Sequence, residues 1–206
     1  LLEWVRLLLE RQPLIEPLGL KELLLRRAAD PVAEVANKVT MCLAKAIEAD
    51  RDFGHQLALR LHERDETLVR RAMADVLTRL FRRLTWDALP LLDDMLQSDD
   101  EGVLAAASAT VGDVKYLDKE QWADRLRQLV DHPLAIVRRN LVPNLREYIE
   151  FDPSDQRGLF HELWKDGDEV VRTRLRELLL RMEEVAPDHF ANQIKALHEL
   201  GADLDP

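Results

Sequence analysis

The stretch Asp166-Gly167-Asp168-Glu169-Val170-Val171-Arg172 decides how the chain is read, because its two ends recur along the sequence. The pair Val171-Arg172 has counterparts at Val35-Ala36, Val69-Arg70, Leu104-Ala105 and Val137-Arg138, in steps of 34, 35, 33 and 34 residues. An acidic residue stands a few positions ahead of each pair: Asp30, Asp65, Asp99 with Asp100, Asp131, and Asp166. Self-similarity at such a period marks stacked units, each too small to bury its apolar face alone.

Working outward from the pairs gives the helices. Eight positions before them stand Arg27, Leu61, Leu96, Leu129 and Leu163, and twelve before them Leu23, Leu57, Leu92, Arg125 and Leu159. A step of four is one helical turn, so these positions form an apolar stripe on a first helix, with Leu126 covering for Arg125. After the pairs, residues such as Val39 and Leu43, Met73, Leu77 and Leu80, or Leu175, Leu178 and Leu179 repeat at threes and fours, the pattern of a second amphipathic helix. The intervening carboxylates suit the N-terminus of that second helix, where free backbone N–H groups seek acceptors. Pro31 and Pro133 lie near the same starts, where a missing donor is tolerated.

The spacing predicts helix pairs over 18–29 with 32–49, 52–63 with 66–84, 86–97 with 100–111, 119–131 with 134–150, and 155–165 with 168–185. The expected architecture is all-α: a right-handed α-solenoid of about five to six antiparallel helix pairs, forming one domain over residues 1–206. Residues 1–17 read as the tail of a preceding repeat, and 188–206 as the first helix of a final partial one. The apolar residues Leu2, Val5, Leu8 and Leu9, and the lack of an initiating Met, lead us to expect a piece of a longer protein or a partner over that end.

Bulk properties narrow the function classes. A net charge of −10 opposes generic nucleic-acid binding, which favours a basic excess. No apolar run reaches 18 residues, and the charged first segment does not read as a secretory leader. Cys42 is alone, which rules out an internal disulfide and suits a reducing, cytoplasmic setting.

Asp65 with Val69-Arg70, Asp131 with Val137-Arg138, and Asp166 with Val171-Arg172 resemble HEAT repeats. The first and third units depart from the pattern, with Ala36 and Ala105 where the arginine belongs. Tetratricopeptide units share the period, but Trp86, Trp122 and Trp164 sit at no common phase, and the Thr-Pro-Leu-His of ankyrin units is absent. The resemblance implies that second helices line the concave side. It further implies that Arg70, Arg138 and Arg172 pair with Asp65, Asp131 and Asp166, within or between repeats, as an internal ladder. Arg71, Arg139 and Arg174 fall on other faces and are candidates to meet a partner. The third second helix, Leu104 to Gly112, is built of small residues. It implies either close helix packing or a depression around Ala105 and Ser108 where a partner could sit. The tryptophans at 86, 122 and 164 fall on first helices, in the outer layer.

Motifs for chemistry are missing. His55 and His62 are two turns apart, and none of the His-Glu pairs at 62, 161 and 198 has a second histidine four residues on, so no metal site is expected. There is no phosphate loop, nucleophile elbow or Cys-x-x-Cys, and no cofactor is expected. The acidic run from Asp93 to Glu101 reads as a solvated turn with a helix cap at Asp99 or Asp100. The expected function is a non-enzymatic HEAT-repeat scaffold for a protein partner, or for another domain of the same polypeptide, with the oligomeric state open. Two alternatives stand beside it. One is a nucleic-acid-binding protein like the HEAT-like alkylpurine DNA glycosylases, with Trp164 and Asp168 or Trp86 and Asp87 in the cleft roles. The other is an accessory module of a larger signalling or defence protein.

Overall fold

The computed structural model describes residues 2–11, 14–16, 18–152 and 158–199. Their helices are α1 (Leu2–Leu8), α2 (Leu20–Ala28), α3 (Ala33–Thr40), α4 (Leu43–Ala49), α5 (Arg51–His62), α6 (Thr67–Leu84), α7 (Leu89–Met95) and α8 (Glu101–Thr110). Then follow α9 (Lys119–Leu129), α10 (Ala135–Leu141), α11 (Leu145–Phe151), α12 (Leu159–Trp164), α13 (Glu169–Val185) and α14 (Pro187–Glu199). No strand occurs among the described residues. The expected helix over 155–157 and the chain from 200 onward lie outside the described residues, as does the side chain of Leu2.

The repeat is stricter than the sequence pairs suggest. Helices α3, α6, α8, α10 and α13 begin at residues 33, 67, 101, 135 and 169, a constant step of 34. In the third unit the equivalent pair is therefore Val103-Leu104, and reading it as Leu104-Ala105 is one residue late. The cap settles the register: Asp100 Oδ1 accepts the Val103 N–H at 3.0 Å, as Asp168 Oδ1 accepts that of Val171 at 3.0 Å. The adjacent aspartates Asp99 and Asp100 and the adjacent apolar residues Val103 and Leu104 fit either register by spacing alone. Val69, Val103, Val137 and Val171 are all fully buried, the lead residues of their helices.

A second feature recurs two residues before each N-cap, at 30, 64, 98, 132 and 166. Asp30 accepts the Val32 N–H at 3.1 Å, Ser98 that of Asp100 at 3.2 Å, His132 that of Leu134 at 3.2 Å, and Asp166 that of Asp168 at 2.8 Å. Each closes a turn that launches the second helix. Arg64 alone inverts the scheme. It donates to the carbonyls of Ala28 at 3.1 Å and Asp30 at 2.8 Å, and to its own unit's Glu66 carboxylate.

Two predicted second helices are broken. Pro143 lacks the N–H that an α-helix needs and turns residues 142–144 into a 3-10 segment between α10 and α11. At Met41-Cys42 the break follows Thr40, whose hydroxyl donates to the Asn37 carbonyl at 2.6 Å and competes with the helical ladder. The predicted helix at 86–97 opens as a 3-10 turn over Thr85–Ala88 before α7.

The chain separates into two compact units, residues 1–113 and 114–206. In the first, Leu24, Val39, Leu43, Leu57, Leu61, Met73, Leu77 and Leu80 are wholly buried where first and second helices meet. Here α4 and α5 approach so closely that a Cβ on Gly54 would lie 2.5 Å from the Ile47 Cα. In the second, Leu126, Val137, Leu141, Leu145, Leu163, Val171 and Leu175 are fully buried. Trp122 is interior as well, at 1% exposure, rather than on an outer layer, while Trp86 is 49% exposed.

Candidate functional site

The arginines nominated from the sequence are all engaged. Arg71 grips Asp100 with two bonds of 2.9 and 2.8 Å, and Arg139 grips Asp168 with bonds of 2.9 and 2.5 Å. Both acceptors also cap the next second helix, so each guanidinium fastens one repeat to the start of its neighbour. The Arg71 and Arg139 guanidiniums, with help from the capped N–H groups, hold the carboxyls of Asp100 and Asp168 down at about 2. Arg174 donates to the Arg139 carbonyl at 3.2 Å.

Arg138 makes a bidentate pair with Asp166 at 2.6 and 2.9 Å and also donates to the carbonyls of His132 at 2.5 Å and Pro133 at 3.0 Å. This pair is the most buried, with side-chain exposures of 17% and 3%, and Arg138 holds the Asp166 carboxyl below its ordinary value. Arg172 reaches the Asp166 carbonyl at 2.5 Å and pairs with Glu169. Arg70 binds Asp94 at 2.9 Å, a carboxylate also 3.4 Å from His62, whose burial lowers its pKa. Asp65 and Asp131 take no part in this network. They sit one residue off the register position that Arg64 and His132 occupy.

Ser108 is fully buried, with its hydroxyl donating to the Ala105 carbonyl at 3.1 Å, so it lines no open depression. The small residues of α8 serve close packing on α6, and the hydroxyls of Thr78 and Thr110 meet across that contact at 3.0 Å. The aspartates considered for a cleft role are held: Asp168 as described, and Asp87 by Arg51 at 2.6 Å. Among the described residues no group of three or more His, Cys, Asp or Glu side chains could hold a metal ion. No described helix is long and apolar enough to cross a membrane.

Open space lies elsewhere, at the C-terminal ends of the second helices. In the first unit a groove of about 890 Å³ runs between the end of α1 and α4, lined by Leu9, Glu10, Arg11, Leu14, Lys45, Glu48 and Ala49. In the second unit a groove of about 490 Å³ lies between the start of α9 and α11, with Lys115, Tyr116, Lys119 and Trp122 facing Glu147, Glu150 and Phe151. Another, of about 270 Å³, separates residues 143–147 from Leu178, Arg181, Met182, Glu184 and Val185 of α13.

The 34-residue register relates these walls. Lys45, Glu147 and Arg181 occupy one register position, Glu48, Glu150 and Glu184 a second, and Ala49, Phe151 and Val185 a third. Every groove thus has charges of both signs beside an apolar surface, and Tyr116 and Val185 stand 76% and 68% exposed at their rims. Reading from the Val-Arg pairs missed these residues because it followed the N-terminal halves of the second helices. A strict period of 34 carried down to the helix ends would have brought them together.

No family model matches the sequence, and no curated protein does. Solved structures do. An engineered protein superposes with a TM-score of 0.55 at 16% identity, over 95% of this chain and 90% of that one. A designed armadillo repeat protein superposes with a TM-score of 0.53 at 14% identity, over 95% and 91%. Another, from a set of armadillo repeat proteins designed for modular peptide recognition, gives a TM-score of 0.52 at 15% identity, over 86% and 90%. Likeness at such identities is likeness of fold, and the chain has the helical repeat fold of the armadillo and HEAT type.

Proposed function

We propose that the chain is a non-enzymatic interaction scaffold, and that it binds an extended polypeptide segment in the grooves between the C-terminal ends of its second helices. One observation carries this reading: the same three register positions line all three of the grooves described above. Within one unit, walls that recur with the repeat suit a ligand that is itself periodic, and an extended chain presents side chains at regular intervals. Mixed charge beside apolar surface suits a peptide better than a polyanion. Some solved structures that share the fold are described as designed for peptide recognition, which agrees with this reading. The proposal moves the contact away from Arg71, Arg139 and Arg174, whose guanidiniums already have partners, and away from the packed Ser108. The segment belongs to a separate protein or to another part of the same polypeptide; the groove chemistry is common to both.

The test is selection of random twelve-residue peptides on the full chain, followed by binding to Lys45→Glu and to Arg181→Glu with Val185→Asp. Selected peptides should lose at least about tenfold in affinity on one of these variants while helicity is retained. Peptides that ignore both variants, or salt-dependent binding of duplex DNA in place of peptides, would overturn the reading.

A further inference from the structure

One second helix of the first unit departs from the groove pattern in its charge. The register positions of Lys45, Glu48 and Ala49 on α4 are filled on α6 by Arg79, Arg82 and Arg83. Where the groove walls carry Glu48, Glu150 and Glu184, α6 therefore carries Arg82. A chain of ion pairs ties this helix end to the groove beside α4. Lys45 binds Glu10 at 3.2 Å and Glu48 at 3.0 Å, and Glu48 also binds Arg83, whose guanidinium reaches the Arg79 carbonyl at 3.3 Å. The ends of α1, α4 and α6 thus share one wall. Its pairing uses both carboxylates, Glu10 and Glu48, and leaves cations over. Arg11, Arg79 and Arg82 are exposed, and their guanidiniums have no ion-pair or hydrogen-bond partner among the described residues. Asp75, one turn before Arg79 and further from the helix end, bounds the patch on that side.

We infer that the polypeptide held by the first unit is acidic where it crosses this wall, with glutamate or aspartate side chains set against Arg11, Arg79 and Arg82; the inference rests on the scaffold reading above. All three cations stand at the surface, where a ligand reaches them without opening the core. A carboxylate accepts from a guanidinium in the paired geometry that suits both groups. A basic segment would meet the same three charges, and the acceptors it needs, Glu10 and Glu48, are already held by Lys45 and Arg83. A neutral segment gains none of the attraction. One exposed ion pair is worth only about two- to fivefold in affinity, so the selectivity comes from several acting together and weakens with salt. Packed helices lie about 8–10 Å apart, and an extended chain advances about 3.3 Å per residue. Carboxylates about three residues apart therefore match successive second helices. Duplex DNA is anionic too, but it extends beyond the patch and meets a chain of net charge −10.

The experiment measures fluorescence anisotropy of twelve-residue peptides with the full chain at about 50 mM salt. The peptides are four copies of Leu-Glu-Ser, of Leu-Gln-Ser or of Leu-Lys-Ser, each carrying a neutral fluorophore. The Glu peptide should bind about tenfold or more tightly than the Gln and Lys peptides, and about 500 mM salt should cut its advantage over the Gln peptide to about twofold. Arg79→Glu with Arg82→Glu, both at exposed sites, should abolish the preference. Arg79→Gln with Arg82→Gln should reduce it at least about threefold, which keeps the test open if the charge reversal fails to fold. Equal binding of the three peptides, no binding of the Glu peptide, or tighter binding of the Lys peptide overturns the assignment. An unchanged preference in the variants, or duplex DNA bound more tightly than the Glu peptide, does the same. If twelve-residue peptides selected on the full chain still depend on Lys45 or Arg181 in that case, the scaffold reading stands and the acidic preference alone falls. If no peptide binds in either assay, both fall.

Discussion

Asp166→Ala tests the link between the fourth and fifth repeats. The Asp166 side chain is 3% exposed, accepts two bonds from Arg138 and a third from the Asp168 N–H. Truncation leaves the Arg138 guanidinium, itself only 17% exposed, without its carboxylate. Removing one partner of a buried ion pair costs roughly 3–5 kcal/mol. Arg138 keeps the carbonyls of His132 and Pro133, which lowers the expected loss to about 2–3 kcal/mol. At a urea slope of about 1.5 kcal/mol per M for a unit of this size, the midpoint should fall by about 1.3–2 M. Urea titrations followed by far-UV circular dichroism and by tryptophan fluorescence measure it, with Trp122 and Trp164 reporting on this unit. Asp65→Ala and Asp131→Ala, which remove carboxylates outside the network, should each stay within about 0.5 kcal/mol. A loss for Asp166→Ala no larger than that for Asp131→Ala would refute the reasoning.

Gly54→Ala should cost about 3 kcal/mol or more, because its Cβ would lie 2.5 and 2.6 Å from the Ile47 backbone and α4 and α5 would have to separate; a thermal midpoint equal to the parent would count against it. Leu61→Ala and Leu163→Ala, both fully buried, should each lose about 2–5 kcal/mol, whereas Leu59→Ala, 42% exposed, should lose little; equal urea midpoints for the three would show that the register is misassigned. The carboxyls of Glu66, Asp100 and Asp168 are all held at about 2 in the fold, below their unfolded values. A depressed folded value gives stability that is complete above the unfolded pKa and lost as carboxylates protonate, so urea midpoints should drop most between about pH 4 and 2. Flat midpoints across that interval would show that the pairs are not formed in solution.

The helices were legible because burial imposes its period directly on the residues, and a three-to-four spacing of Leu, Val and Met is the mark of a helix with one buried face. The starts of the second helices were legible to within a residue or two, since caps draw on a short list of side chains. Which carboxylate meets which arginine was not. Asp65 and Asp131 fit the spacing as well as Asp166, yet only Asp166 stands at the position two residues before the N-cap. Arg71 and Arg139 read as free because their acceptors, Asp100 and Asp168, lie 29 residues further on, beyond any local pattern. The grooves were hidden for a related reason. They are spaces, and a space is set by the helix ends on both sides, where Pro143 and the break at Met41-Cys42 redirect the chain in ways that apolar periodicity does not report.

Arg64 has a consequence of its own. At the other junctions the contact ahead of the helix uses an aspartate, a serine or a histidine, and the aspartates, held ionised by their arginine and backbone partners, lose their charge on protonation. Arg64 instead grips the peptide oxygens of Ala28 and Asp30, which do not titrate at any pH the protein meets. Acidification therefore weakens the Asp166 clasp, whereas this tether between the first two repeats keeps both of its carbonyl bonds.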